Sequence, residues 1–369
     1  MAGMRMAELV VRPDERFIQE VLANGGADLK KCYQCATCST VCALSEEDRT
    51  FPRRQMLLAQ WGLKDLVLSD PALWLCHSCG DCTEQCPRGA RPGDVLGALR
   101  QQAIQYFAWP KFVARWVNNA RAVWTLFLLP VLLFAGLGLW GPETVSEQME
   151  FANEYPVPVL EALFFTVSGL AVLAFAVGLG RFVKALRVQG ATAPILPNLV
   201  PAIGEIFAHR RFQKCQAEPF RYPGHLLAFW GFLGLGFVGT VIGIGTMGGW
   251  LHTPLPLSHP LKVLANLSAA VALVGASILL ANRLRNQQLR QRTTYFDWLL
   301  VWLLAGAVLT GLLSELLRLA QLKVMYGVYF IHLVLVFALL AYAPYSKLAH
   351  AVYRTVALAA TRRGTRGGP

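Results

Sequence analysis

Six stretches of this 369-residue chain run for 17 residues or more without a charged side chain: 122–140, 162–180, 226–251, 263–282, 298–314 and 324–346. Each is long enough to cross a hydrocarbon core of ~30 Å as a helix, and lipid admits only helices and closed barrels because every backbone N–H and C=O must be satisfied internally. An ordinary soluble enzyme is excluded, and the overall content of 15% charged residues agrees, since soluble domains carry about 25%. The expected fold class is all-α. Residues 111–369 read as a six-span transmembrane helix bundle and residues 1–110 as a separate segment. The 14 residues 191–204 are too short to cross and hold three prolines. They read as an interfacial or re-entrant piece.

Charge fixes the expected orientation. Residues 1–110 hold 12 Lys and Arg against 13 Asp and Glu, whereas residues 111–369 hold 22 against 9. With segments 111–121, 181–224, 283–297 and 347–369 inside, 19 basic residues face inward and 3 lie in the outer loops. This positive-inside bias places both termini and the 1–110 segment in the cytoplasm of a bacterium, with the bundle in its inner membrane. The first 20 residues lack the apolar core of a secretory signal, which gives the same expectation. The net charge of +12 thus speaks of topology rather than of nucleic acid.

Eight of the nine cysteines fall in the first 90 residues, in two runs of identical spacing: Cys32, Cys35, Cys38, Cys42 and Cys76, Cys79, Cys82, Cys86, the second followed by Pro87. In a reducing compartment clustered cysteines bind metal more often than they form disulfides. The spacing C-x2-C-x2-C-x3-C is that of bacterial [4Fe–4S] ferredoxins, whose fourth cysteine ligates the other cluster. Cluster one is therefore assigned to Cys32, Cys35, Cys38 and Cys86, and cluster two to Cys76, Cys79, Cys82 and Cys42. Zinc sites would show pairs of C-x2-C instead of quartets. His77, inside the second run, reads as an accessory residue because eight thiolates already fill the ligand positions. Helices are expected over 14–23, from Pro52 to Gly62, and over 93–107. Strand-like alternation is scarce, so the segment is a helical ferredoxin domain.

Six histidines lie in the bundle: His209, His225, His252, His259, His332 and His350. His332 and His350 are 18 residues apart, five turns of one helix, which would put them on one face ~27 Å apart. One helix would then supply a ligand to each of two stacked haems b. His225 opens the third stretch at the inner side and pairs with His350 for the inner haem. His332 needs an outer partner, either His259 or His252, and His259 is preferred because it directly precedes the fourth stretch. Gly231, Gly234, Gly236 and Gly239 either leave room for a flat macrocycle or serve close helix packing. His209 sits beside Arg210, Arg211 and Lys214 and reads as solvated, and Cys215 as a free thiol.

The 1–110 segment, with CYQCATCSTVC, WLCHSCGDCTEQCPRG and then a helix with Leu99-Arg100, resembles the C subunit of heterodisulfide reductases. The bundle, with His332 and the run Tyr342-Ala-Pro-Tyr-Ser-Lys-Leu-Ala-His350, resembles the cytochrome b subunits of heterodisulfide reductase and respiratory nitrate reductase. Their fusion in this order resembles the C subunit of the quinone-interacting membrane-bound oxidoreductase (Qmo) family. That resemblance implies flavoprotein partners of the Qmo A and B type, and electron exchange between menaquinone and adenylylsulfate (APS) reductase. The nitrate-reductase pattern has two histidines on the helix equivalent to the third stretch, whereas only His225 stands there. The expected function is membrane electron transfer from quinone through one or two haems b and two [4Fe–4S] clusters to soluble subunits. The alternatives are a heterodisulfide-reductase-like or sulfite-reductase-associated module, and a haem-free anchor for an iron–sulfur head.

Overall fold

The computed structural model describes residues 12–141, 147–191, 193–209 and 220–362. Cys215 and its basic neighbours Arg210, Arg211 and Lys214 lie outside them. Regular structure among the described residues is helical throughout. The longer helices are α1 (Glu15–Val21), α2 (Arg53–Gln60), α3 (Pro92–Phe107), α4 (Val123–Leu139), α5 (Val157–Val188), α6 (Ile195–Ala208), α7 (Arg221–Met247), α8 (Pro260–Arg285), α9 (Tyr295–Leu319), α10 (Met325–Ala341) and α11 (His350–Thr361). The chain divides into two compact units: Met1–Tyr106 with Arg181–Ala217 and Val352–Pro369, and Phe107–Gly180 with Glu218–Ala351.

In the first unit the two cysteine runs share one backbone. Two residues after the first cysteine, and again just after the second, the chain turns left-handed: Gln34 (φ 61°) and Ala36 (71°), then Ser78 (54°) and Gly80 (93°). Such turns gather peptide N–H groups toward an anion. A single helical turn follows in each, Thr37–Thr40 and Asp81–Glu84. The residue after the third cysteine then caps the next long helix. Ser39 Oγ accepts the N–H of Arg53 at 3.3 Å and Thr83 Oγ1 that of Gly93 at 2.9 Å, which satisfies donors a helix start leaves orphaned. The halves therefore correspond by a shift of 44 residues through the runs (Cys32 to Cys76) and 40 along the helices (Arg53 to Gly93). Behind the second run, the indole of Trp74 is buried, stacked on Tyr353 at 4.7 Å and edge-on to Phe182 at 6.0 Å.

The second unit is built on close helix packing. The α7–α8 seam is lined by small residues. A Cβ at Gly231 would lie 2.4 Å from Ala272 N, and one at Gly275 2.2 Å from Ala228 N, so only glycine lets the two backbones meet. Gly234 is also against α8, at Ser268, whereas Gly236 and Gly239 meet nothing within 4 Å. Close packing thus accounts for Gly231 and Gly234 and not for Gly236 and Gly239. At 100° per residue, Gly236 and Gly239 lie within about 40° of His225 around α7, and Gly231 and Gly234 lie on the far side.

Among the described residues five helices are long and apolar enough to cross a membrane: Ala120–Leu139, α5, α7, α8 and α9. The sixth stretch differs from expectation. α10 stops at Ala341, after 17 residues, and two 3-10 turns, Ala343–Tyr345 and Lys347–Ala349, precede α11. Pro344 has no N–H to continue the ladder and its ring crowds the preceding turn. His332 and His350 therefore do not share one helix, and five continuous turns do not relate them. The proline-bearing piece over 191–204 forms α6, with Pro201 inside it.

Candidate redox centres

Around the cysteines the structure gathers thiols from both runs. Cys42, Cys76, Cys79 and Cys82 line one cavity of about 750 Å³, so the last cysteine of the first run sits with three of the second. Reciprocally, Cys38 is influenced by the charges of Cys32, Cys86 and Cys35. Among the described residues no three His, Cys, Asp or Glu side chains converge on a point as a single ion would require. A cavity ringed by four sulfurs suits a cluster. N–H groups aim at the sulfurs: Ser78 N–H at Cys76 Sγ (3.3 Å), Ala90 N–H at Cys86 Sγ (3.4 Å) and Gln34 Nε2 at Cys32 Sγ (3.4 Å). Such bonds stabilise charge on sulfur and set cluster potential.

Burial pushes the Cys38 and Cys42 thiols up to about 11, and Cys82 well above its ordinary value. Cys35, exposed, is lowered by the Thr37 hydroxyl 3.4 Å away. Iron bound at the buried sulfurs would offset that cost and hold them ionised. Gly93 is required beside them, because a Cβ there would stand 2.8 Å from Thr83 Oγ1 and 3.8 Å from Cys82 Sγ.

In the second unit the rings of His225 and His350 approach edge-on, with centres 6.4 Å apart and planes at 67°. An imidazole nitrogen lies about 2 Å from a metal it ligates and roughly 1 Å from its own ring centre. Two rings on opposite sides of one iron therefore have centres about 6 Å apart. The pair fits the axial ligation of a haem, which low-spin electron carriers take from both faces. His350 Nδ1 donates to the Lys347 carbonyl at 2.5 Å, which leaves Nε2 with its lone pair. This is the usual way a protein fixes the tautomer of a metal-binding histidine.

His332 is held in the same manner, with Nδ1 2.9 Å from the Ala307 carbonyl and 3.2 Å from Thr310 Oγ1. Gly311 makes room for it: a Cβ there would meet His332 Cε1 at 2.8 Å. His259 has a different bond. It caps α8, with Nδ1 accepting the N–H of Leu261 at 3.2 Å, and a neutral ring bonded so carries its proton on Nε2. Among the described residues no hydrogen bond or ring contact joins His259 to His332, and His252 is exposed. His209 ends α6, its Nδ1 3.1 Å from the Phe207 carbonyl. Gly311, Gln60 and Arg354, all touching these sites, were not singled out by sequence, and Arg100 entered only with Leu99 as part of the resemblance. A glycine facing a histidine across two helices leaves no local signal, whereas Gln60 and Arg100 are visible once the repeat is aligned.

Comparison with known proteins divides the chain similarly. Residues 28–90 match the 4Fe-4S dicluster domain family, and residues 224–325 match the nitrate reductase gamma subunit family. The latter range includes His225 and His259. Relatives include the C subunit of the H(2):CoB-CoM heterodisulfide,ferredoxin reductase of Methanothermobacter thermautotrophicus, 39% identical over 108 residues, covering 28% of this chain and 58% of the relative. A protein of Archaeoglobus profundus that is itself like the C subunit of heterodisulfide reductase is 33% identical over 96 residues, 26% of this chain and 51% of its own. The C subunit of the ferredoxin:CoB-CoM heterodisulfide reductase of Methanosarcina mazei is 38% identical over 86 residues, 23% and 53%. The chain spans a little over half the length of these relatives. No solved structure matches. The protein thus combines an iron–sulfur segment like the C subunit of heterodisulfide reductases with a nitrate-reductase-gamma-like membrane segment.

Proposed function

We propose that this protein is the membrane subunit of a quinone-dependent oxidoreductase, passing electrons between a quinone pool and soluble flavoprotein subunits. The observation that carries the reading is the His225–His350 pair, whose ring centres stand 6.4 Å apart. Haem b and the two [4Fe–4S] clusters supply one-electron exchange when bound. The chain's own residues orient and tune. Lys347 holds the His350 tautomer through its carbonyl, and its ammonium is paired with Asp297. Gly236 and Gly239 add no side chain to the His225 face of α7 beyond Phe229 and Phe232. His332, held by Ala307, is the proposed ligand of a second haem. His259 could serve opposite it only if its ring released Leu261.

Menaquinone is the proposed quinone, Qmo A- and B-type flavoproteins the proposed partners, and APS reductase the proposed further electron partner. The order in which the two segments are fused supports this. The basic-residue asymmetry supports an inner-membrane location with the iron–sulfur segment on the cytoplasmic side. A heterodisulfide-reductase-like module is the second reading, favoured by the names of the relatives that match the N-terminal segment.

A reduced-minus-oxidised optical spectrum of the purified chain tests the proposal. A b-type α-band is expected, with the same haem lost in His225→Ala and His350→Ala. A spectrum without that band removes the haem and leaves an iron–sulfur anchor. Oxidation of the menaquinol-reduced complex by APS reductase, and not by a heterodisulfide, separates the two readings.

A further inference from the structure

The repeat that builds the cysteine sites keeps its contacts and changes their charge. In the first half Gln60, ending α2, donates from Nε2 to the carbonyls of Leu29 (3.1 Å) and Cys32 (3.0 Å). Gln34 Nε2 reaches Gln60 Oε1 at 3.3 Å. Seven residues past the capped N–H of each helix, Gln60 on α2 corresponds to Arg100 on α3. Arg100 repeats the pattern as a cation. Its Nη1 donates to the carbonyl of Leu73 (3.5 Å), the counterpart of Leu29. Its Nη2 donates to the hydroxyl of Ser78, the counterpart of Gln34. The carbonyl of Cys76, counterpart of Cys32, receives Arg354 Nη1 at 3.4 Å, and Arg354 Nη2 lies 2.9 Å from His77 Nδ1.

One frame thus surrounds the first run with amides and the second with two half-buried guanidiniums. Other charges do not cancel the difference. Arg53 acts on Cys35, and Arg88 packs on the Tyr33 ring beside Cys32 at 4.1 Å, but both are exposed; Arg91 is paired with Asp28 and Asp94; and Asp81 sets one carboxylate against the two cations at the second run. Reduction adds negative charge to a cluster, so a fixed neighbouring cation favours the reduced form. Partial burial limits screening.

We propose that Arg100 and Arg354 hold the reduction potential of the second-run centre (Cys76, Cys79, Cys82, Cys42) above that of the first-run centre (Cys32, Cys35, Cys38, Cys86). An electron on the first centre then passes downhill to the second: one is oxidised by one electron, the other reduced by one, and no bond or proton moves. The inference rests on the dicluster reading above and adds the order of the two centres. A single guanidinium is expected to shift the electron's equilibrium between the centres by about tenfold, about 59 mV for a one-electron couple.

The test is a potentiometric titration, followed by electron paramagnetic resonance, of the full-length chain with its clusters. The signal altered in Cys76→Ser marks the second centre. Two midpoints are expected, the higher at the second centre. Arg100→Gln and Arg354→Gln should each lower it, Arg100→Lys should keep it, and Gln60→Arg should raise the lower midpoint. The reverse order in the parent protein overturns the proposal, as do midpoints that ignore both Arg100→Gln and Gln60→Arg. Should Arg100→Gln lose its cluster by iron analysis, Arg100→Lys and Gln60→Arg still decide. Absence of any [4Fe–4S] signal in the parent protein would refute the dicluster reading itself, a result distinct from a wrong order.

Discussion

One methyl group at Gly231 should loosen the grip on the proposed haem from the far side of α7, the helix that carries His225. Gly231 lies six residues from His225 on α7, and a Cβ there would stand 2.4 Å from Ala272 N and 2.6 Å from Ser268 O. Ordinary contact needs about 3.5 Å, so Gly231→Ala asks for a withdrawal of about 1 Å. The obstructing atoms are backbone, and cannot swing aside as a side chain would. α7 must therefore back away from α8, toward the side that carries His225. Overpacking of this kind costs about 1–3 kcal/mol. If the whole cost falls on the haem-bound state, affinity drops roughly 5- to 150-fold. The assay is the haem-to-protein ratio by pyridine haemochrome, with the melting temperature of the detergent-purified protein. Gly169→Ala is the control, because a Cβ on that exposed turn of α5 meets nothing within 4 Å. Haem content and melting temperature in Gly231→Ala equal to those of Gly169→Ala would refute the reasoning.

Other substitutions probe the remaining contacts. Gly311→Ala should push the His332 ring off the Ala307 carbonyl and shift or abolish one haem spectrum while leaving the His225–His350 haem intact, read by low-temperature optical spectra. Thr83→Val leaves the Gly93 N–H without its acceptor, a loss of about 1–2 kcal/mol, and should lower the thermal stability of the iron–sulfur segment, with Thr83→Ser restoring it. Cys42→Ser should remove the cluster of the second run and Cys86→Ser that of the first, with paramagnetic resonance and iron content as the readout. Loss of the cluster belonging to each residue's own run would reverse the assignment.

What sequence disclosed follows from what chemistry constrains locally. Eight thiols at fixed spacing announce iron–sulfur clusters because each iron needs a thiolate at a set reach. α2 and α3 were legible from Pro52, Gly62 and the apolar residues between and beyond them. The break after Ala341 was present in the sequence as Pro344, yet counting 18 residues from His332 to His350 carried the helix across it. The glycines of α7 look alike in sequence, and only the position of α8 separates Gly231 from Gly236. His259 matched the residue type wanted for a ligand, while the structure uses its ring to start a helix. Arg354 reaches Cys76 from 278 residues away, a distance at which spacing carries no information.

The interleaving of the cysteine runs constrains how the iron–sulfur segment comes into being. In the proposed ligand assignment each half contributes three thiols to one centre and a fourth to its neighbour, so neither half could close a centre alone. A nascent chain that has reached Cys42 holds no complete ligand set, and the first becomes complete only once Cys82 has emerged. On that assignment assembly of the pair would be cooperative: loading either centre would clasp the two halves together and bring the remaining sulfurs into register for the other. Intermediate states with one cluster should be scarce, and the segment should mature, or fail, as a single unit.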